Sequence, residues 1–201
     1  MTAHDLSRQE VDALQELASI GCGQAISALG KLAGRRIDMD VPEAWFGADE
    51  GAIANFLGSM GQDLVAVGVR LEGALTGNLV FALPEGDAEK LAAMLGFPTG
   101  GRWEGMAESA LMESGNIVGS AFVSAVGTMV GETLLLSVPT FAQGSGRACV
   151  ERLVDHAGSV AIATRFTCGE AKGALEGLIL VMPEPERITK LLSHLDLVPQ
   201  R

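Results

Sequence analysis

The sequence contains no tyrosine and only two tryptophans, and its 14 lysine and arginine residues are outnumbered by 25 aspartate and glutamate residues. Binding to nucleic acid depends on clustered cations that neutralise phosphates, and binding to single strands also uses aromatic rings that stack on bases. A chain of 201 residues with a net charge of −11 does not fit a nucleic-acid-binding protein. The same charge argues against adhesion to an anionic membrane surface.

Cysteine and histidine are scarce, and their spacing predicts neither a metal site nor a disulfide framework. The cysteines are odd in number, stand far apart and form no C-x-x-C pair, and the histidines are not at metal-ligand spacing. We therefore predict a cytoplasmic protein without a zinc site, in which the cysteines are small buried side chains in a reducing compartment. The residues concerned are Cys22, Cys149, Cys168, His4, His156 and His194.

No basic segment followed by an apolar run stands at the N-terminus, so we expect no signal peptide. Ser114 to Gly131 contains no charged residue and approaches the roughly 20 residues that span a bilayer. Polar side chains nevertheless recur along this stretch, and Glu113 and Glu132 close it. The pattern predicts a helix packed inside a globular protein, with no membrane insertion.

The most informative feature is an internal duplication. Two blocks with the same spacing of polar residues recur at an offset of 97 residues, each followed after 22 intervening residues by the proline of a Val-Pro pair. The sequence Gly-Ala-Leu-x-Gly also occurs twice, at 73–77 and at 173–177. The two blocks are Asp12-x-x-x-Glu16-x-x-Ser19 with Val41-Pro42, and Ser109-x-x-x-Glu113-x-x-Asn116 with Val138-Pro139.

Each copy predicts an α-β-β-β-α unit. A capping-box pattern from Ser7 to Glu10 opens the first long helix, and small or apolar residues then recur every three or four positions. Repeat 1, about 7–96, is predicted to contain a helix to about Leu32, strands Arg36–Val41, Leu64–Leu71 and Leu75–Leu83, and a closing helix Asp87–Leu95 capped by Gly96. Repeat 2, about 106–197, is predicted to contain a helix 107–130, strands Thr133–Val138, Ser159–Phe166 and Leu175–Val181, and a closing helix Glu186–Leu195. The segments near Glu43–Met60 and Gly96–Glu104 are predicted to be loops.

Together these units predict an α+β fold with pseudo-two-fold symmetry, in which residues 1–201 form a single domain. One continuous β-sheet would carry the two long helices side by side on one face. Because the distance between packed helices depends on the side chains at their contact, Gly21, Ala25 and Ala28 would let these helices approach closely.

The polar residues of each block form a stripe along their helix, since positions i, i+4 and i+7 lie on one face. The stripe of Ser109, Glu113 and Asn116 lies away from the apolar positions Leu111 and Val118, so it should point toward solvent. A glutamate and an asparagine one turn apart are common on solvated helix faces. The stripe by itself therefore does not identify a functional site.

The whole pattern, [Asp/Ser]-x-x-x-Glu-x-x-Asn followed after 22 residues by proline and used twice, resembles the CheC/CheX/FliY family of chemotaxis phosphatases. The second copy matches that motif fully, whereas Ser19 stands in the first copy where the family has asparagine. The stretches Ile20–Ala25 and Gly115–Ala121 are also similar to the family's sequence. Two motif copies in about 200 residues are most similar to the CheC branch of the family.

The resemblance implies an enzyme that hydrolyses the aspartyl phosphate of the response regulator CheY. Asn116 would hold the attacking water through its carboxamide, as glutamine does in GTPases, and Glu113 would pair with a lysine of the regulator. It also implies that Mg²⁺ is bound by the phosphorylated regulator and that this chain binds no cofactor. The implied catalytic residues are Glu113, Asn116 and Glu16, with Ser109, Asp12 and Ser19 in supporting positions.

Two alternatives stay open at this point. The missing amide at Ser19 keeps open a weakly catalytic or non-catalytic adaptor that binds phosphorylated CheY or the receptor deamidase CheD. A flagellar rotor component, related to the middle domain of FliM, would be expected to lack the stripe of glutamate and asparagine that this chain contains.

Overall fold

The computed structural model of the chain describes residues 8–155, 160–169, 174–184 and 186–188, with only the backbone at residues 8–10. The helices are α1 (Arg8–Ala33), α2 (Glu50–Gly58), α3 (Glu85–Met94), α4 (Met106–Val130) and α5 (Gly146–Leu153). The strands are β1 (Ile37–Met39), β2 (Glu43–Phe46), β3 (Leu64–Gly73), β4 (Gly77–Pro84), β5 (Leu134–Leu136), β6 (Thr140–Gly144), β7 (Val160–Cys168) and β8 (Leu175–Pro183).

One antiparallel sheet contains all eight of these strands, in the order β1-β7-β8-β4-β3-β5, with β2 also paired to β7 and β6 also paired to β3. The first two strands after α1 therefore pair with the hairpin that follows α4, and the first two strands after α4 pair with the hairpin that follows α1. The central pairing of β4 with β8 joins the two hairpins. As a result, the two halves of the chain are interlocked through backbone hydrogen bonds.

Side chains alternate between the two faces of the sheet, and both faces are covered. In β3, Val67 and Val69 pack in the core beneath α1 and α4. Leu64 and Ala66 belong to a second core, on the opposite face, which contains apolar residues of α2 and α5. The prediction that one sheet carries both long helices on one face is confirmed, and the structure adds a layer of short helices behind the sheet.

The long helices approach each other through a small residue, as the sequence predicts. A Cβ atom added to Gly21 of α1 would lie 2.6 Å from the ring of Phe122 in α4. Their ends also agree with prediction, because α1 ends before Gly34, which has a φ of 62°, and α4 ends before Gly131, which has a φ of 67°. No described helix is long and apolar enough to cross a membrane.

The prediction that Glu43–Met60 is a loop is wrong, because this segment contains β2 and α2. The carboxylate of Asp49 caps α2 by accepting a hydrogen bond from the amide of Ala52 at 2.7 Å. The sequence reading assigned no helix at α5 either. Helices of eight or nine residues are not stable alone and depend on tertiary packing, which here includes a close approach of Gly146 in α5 to the carbonyl oxygen of Ala54 in α2. Each half therefore contains an extra strand and an extra helix.

Several contacts recur in the two halves at the offset of 97 residues. The amide of Arg35 donates to the carbonyl of Gly30 at 3.0 Å, and the amide of Glu132 donates to that of Gly127 at 3.0 Å. The predicted loop at Gly96–Glu104 joins α3 to α4. The capping box at Ser7 and most of the closing helix Glu186–Leu195 lie outside the described residues, so the repeat boundaries remain predictions.

Candidate functional site

The stripe on α4 lies at the surface, on the side of the helix away from the sheet. Ser109 and Glu113 are exposed and Asn116 is half-buried, whereas Leu111 and Val118 are fully buried on the other side. The predicted orientation of this stripe is therefore confirmed. The side chains stand on a helix of 25 residues that is packed along its length, so their relative positions are fixed.

Two glycines set the distance between this part of α4 and the sheet. A Cβ atom at Gly115 would lie 2.5 Å from Cγ1 of Val67, and one at Gly119 would lie 3.1 Å from Cγ2 of Val69. Real Cβ atoms are almost never found at the shorter of these distances, so α4 lies closer to β3 than a helix with a side chain at 115 would. Asn116 therefore projects from a backbone that rests directly on the sheet.

The carboxylate and the carboxamide of the α4 stripe have no partner among the residues that the structure describes. No hydrogen bond or ion pair joins the Glu113 carboxylate or the Asn116 carboxamide to another described residue. The hydroxyl of Ser109, by contrast, donates to the carbonyl of Gly105 at 2.9 Å. The Ser109 hydroxyl is thus used in a hydrogen bond to the backbone of its own helix, whereas the Glu113 carboxylate and the Asn116 carboxamide are available to a partner.

The stripe on α1 has the same arrangement with different chemistry. Asp12 and Glu16 are exposed, and Ser19 is half-buried in the position that Asn116 occupies on α4. The Ser19 hydroxyl makes no hydrogen bond with another described residue. A serine oxygen stands two bonds from Cα, whereas a carboxamide oxygen stands three bonds away, so Ser19 reaches less far from the helix.

In each long helix, the residues of the stripe lie side by side on one face, but the stripes of the two helices are not adjacent to each other. The helices meet through Gly21 and Phe122, which at 100° per residue lie roughly 120–180° around each helix from the stripe residues. The stripes therefore lie on opposite flanks of the helix pair. They form two separate candidate sites rather than one composite site.

Two valines that the sequence analysis included only as part of the repeat are unusually exposed. Val41 is 82% exposed and Val138 is 81% exposed, although both are aliphatic. Each precedes the proline of its motif, and the two positions differ by 97 residues. In the sequence, these two positions were marked only by the repeated Val-Pro pair.

Concave surfaces elsewhere do not contain the stripe residues. A cleft of about 660 Å³ lies between α2 and α5 and includes Glu50, Asn55 and Arg147. A shallower hollow of about 510 Å³ lies between α1 and α4 and includes Lys31 and Thr128. Neither of these two concave surfaces therefore coincides with a candidate site.

The three cysteines are buried, as predicted. Burial raises the pKa of Cys22 to about 12 and that of Cys149 to about 11, so both thiols stay protonated at neutral pH. Thiolates, not thiols, act as nucleophiles and metal ligands. Among the residues that the structure describes, no group of three or more histidine, cysteine or acidic side chains is arranged to hold a metal ion.

Comparison with known proteins supplies related sequences for both halves. A family model described as "Chemotaxis phosphatase CheX" matches residues 65–165, and a model of the CheC-like family matches residues 10–44. The protein "CheY-P phosphatase CheC" of Bacillus subtilis (strain 168) is 32% identical over 140 residues. That match covers 67% of this chain and 66% of the Bacillus protein, slightly less than two thirds of its length.

Solved structures share the fold at low sequence identity. FliY of Thermotoga maritima matches with a TM-score of 0.69 and 16% identity, covering 96% of this chain and 98% of that one. The CheX–CheY–BeF₃–Mg²⁺ complex of Borrelia burgdorferi contains a chain with a TM-score of 0.55 and 19% identity, covering 83% of this chain and 97% of that one. The middle domain of FliM from H. pylori matches with a TM-score of 0.64 and 12% identity, covering 94% and 99%.

Proposed function

The chain belongs to the CheC/CheX/FliY family of chemotaxis phosphatases, and from that premise we propose that it hydrolyses the aspartyl phosphate of a CheY-type response regulator. One observation carries the proposal. On α4, an exposed carboxylate and a half-buried carboxamide stand one turn apart, both without described hydrogen-bond partners, on a backbone held directly against the sheet.

Asn116 is proposed to position the attacking water. The carboxamide has an acceptor oxygen and two N–H donors, so it can orient a water molecule without transferring a proton. The water oxygen forms a bond to phosphorus as the bond between phosphorus and the aspartyl oxygen breaks, which releases inorganic phosphate and the free carboxylate. Because an acyl phosphate is already labile, an acceleration of about 100-fold requires only about 2.7 kcal/mol.

Glu113 is proposed to dock the regulator rather than to take part in acid–base chemistry. Its exposed carboxylate suits an ion pair with a lysine beside the phosphorylation site, which would align Asn116 with the phosphorus atom. Any Mg²⁺ that neutralises the phosphate is proposed to be held by acidic groups of the regulator. Glu16 is proposed to make the same docking contact in the first half.

A second candidate function is an adaptor with little or no catalysis, and the observation that favours it is Ser19. Only one half of the protein carries the water-positioning amide, so the other half would bind a phosphorylated regulator without hydrolysing its phosphate. CheD is the other partner that such an adaptor would bind.

Phosphate release from the phosphorylated regulator, with and without the protein, separates the two functions. Asn116→Ala should lower the accelerated rate about 100-fold, while the free energy of unfolding changes by less than about 0.5 kcal/mol because the carboxamide makes no hydrogen bond with another described residue. Asn55→Ala, the same change at an exposed site on the other face of the sheet, is the matched control and should leave the rate unchanged. Regulator binding without faster release would instead support the adaptor, and normal turnover by Asn116→Ala would rule out the assigned site.

A further inference from the structure

The segment that links β5 to β6 runs along the flank of α4 that carries Asn116. Leu136, the last residue of β5, lies beneath α4, because a Cβ atom at Gly119 would be 3.0 Å from its Cδ1 atom. Gly119 is three positions after Asn116 and therefore lies one turn further along the helix. Residues 137–139 follow Leu136 directly, so they are held beside the turn that carries Asn116.

An aromatic pair continues this edge toward the start of α4. Phe141 is the register partner of Val67, the residue that lies against Gly115. The ring of Phe141 packs against Trp103, with a centroid distance of 6.0 Å. The indole N–H of Trp103 is buried, and no described residue accepts a hydrogen bond from it.

Val138 lies between these features and is held rigidly in spite of its exposure. The amide of Ser137 donates to the carbonyl of Arg70 at 3.0 Å, and the amide of Arg70 donates to the hydroxyl of Ser137 at 2.9 Å. The neighbouring backbone is thus pinned to β3, while the Val138 side chain is 81% exposed. An ordered apolar side chain at the surface loses little entropy when a partner covers it.

The first half lacks the aromatic part of this edge. Val41 is as exposed as Val138, but Ala44 occupies the position equivalent to Phe141 at the offset of 97 residues. The two flanks of the helix pair therefore differ in apolar surface as well as in the residue that would position water.

We propose that Val138, Phe141 and Trp103 form an apolar rim that docks the response regulator and directs it to the Asn116 half; this inference rests on the proposed function. A protein interface covers about 800 Å² on each partner, a disc roughly 16 Å in radius, whereas a helix is only about 10 Å wide. A regulator that places its phosphate at Asn116 must therefore also cover residues 137–141. The surface that fits is a lysine, which pairs with Glu113, beside apolar residues that contact the rim.

Two matched variants test the rim by kinetics. Val138→Ser and Val41→Ser make the same change at equally exposed positions, so neither should alter folding. Val138→Ser should raise the KM for the phosphorylated regulator about fivefold with kcat unchanged, which corresponds to about 1 kcal/mol of lost apolar contact, and Val41→Ser should leave both constants unchanged. Equal effects of the two variants, or none from Val138→Ser, would overturn the proposal.

Trp103 provides a direct binding signal. In a Trp45→Phe variant labelled with 5-fluorotryptophan, Trp103 contributes the single fluorine resonance, since the sequence has two tryptophans. Addition of the unlabelled regulator, activated with beryllofluoride and Mg²⁺, should shift this resonance, and the shift should require a higher regulator concentration in a Val138→Ser background. A resonance that stays unmoved while calorimetry shows saturated binding would contradict the rim.

The two assays separate failure of the rim from failure of the proposed function. If Val138→Ser and Val41→Ser release phosphate with identical kinetics, the proposed phosphatase activity stands and the proposed rim is wrong. If the Trp103 resonance shifts but no phosphate is released, the rim stands as a docking surface and the catalytic proposal is wrong.

Discussion

The two halves of this protein have the same framework and different surfaces. At the ends of the long helices, the Gly30–Arg35 and Gly127–Glu132 contacts have the same geometry. In the middle of the helices the halves diverge, because α1 has Ala18 and Cys22 where α4 has Gly115 and Gly119. The two halves therefore share the order of their helices and strands, whereas only one of them has both the glutamate and the asparagine of the motif.

The difference in the middle of the helices affects how the site residue is held. The two glycines let the backbone of α4 rest on β3, whereas α1 has side chains at the equivalent positions, the buried Ala18 and Cys22. Asn116 follows directly after the first of these glycines, and its counterpart Ser19 follows Ala18. The half with the two glycines is the half with the amide.

The largest expected effect comes from removing that close approach. Gly115→Val places three carbon atoms where Val67 already lies and should destabilise the protein by about 3 kcal/mol through overpacking. Gly23→Val is the matched control, since a Cβ atom at Gly23 would meet nothing within 4 Å, and it should change stability by no more than about 0.5 kcal/mol. Urea denaturation of the three proteins measures both values, and similar stabilities for all three would show that α4 tolerates a larger distance from the sheet.

Supplying the missing amide tests whether Ser19 alone makes the first half silent. Ser19→Asn in an Asn116→Ala background should restore phosphate release to about the parent's level, a rise of about 100-fold over Asn116→Ala, since Glu16 remains available for docking. Ser19→Asn alone should raise the activity toward twofold. Four proteins are compared: the parent, each single variant and the double variant. If the double variant binds the regulator yet stays as slow as Asn116→Ala, the first half lacks more than its amide.

A smaller effect is expected from the docking charge. Glu113→Gln removes the negative charge at constant shape and should raise KM about fivefold, because an ion pair at an interface rim contributes about 1 kcal/mol. Raising the salt concentration should also raise the KM of the parent protein, and it should raise the KM of the variant much less. Glu16→Gln should have less effect, and Glu50→Gln, on α2 behind the sheet, should have none. A variant with the parent's affinity and salt response would show that Glu113 does not dock the regulator.

The long helices and the two hairpins could be predicted because their signals are local. The three-to-four-residue period around Leu14 and Leu17, and the glycine-containing turn at Gly73, depend only on residues close in sequence. The exposure of Glu113 and the burial of Val118 follow from the same period, and the structure agrees with both. The position of the candidate stripe on the protein surface could therefore be predicted from the sequence alone.

The short helices α2 and α5 were missed for the opposite reason. Each has only a brief apolar pattern, such as Ile53 and Leu57 in α2, and each is stabilised by the other helix and by the sheet. An aspartate cap at Asp49 was a usable signal, but a cap without a long periodic segment predicts a turn as readily as a helix. The packing of α2 and α5 against each other and against the sheet is what makes these segments helices rather than turns.

By itself, the sequence determined the two long helices, the duplication at an offset of 97 residues, and the stripe that contains Glu113 and Asn116, because helix periodicity and repeat spacing are properties of the chain read in order. Only the tertiary structure decided that two strands of each half pair with the hairpin of the other half, that the stripes lie on opposite flanks of the helix pair, and that the Val138 side chain is exposed. Strand pairing and helix packing join residues that are far apart in the chain, such as Arg70 and Ser137. Their partners are selected by burial and hydrogen bonding over the whole molecule, which no local segment of sequence specifies.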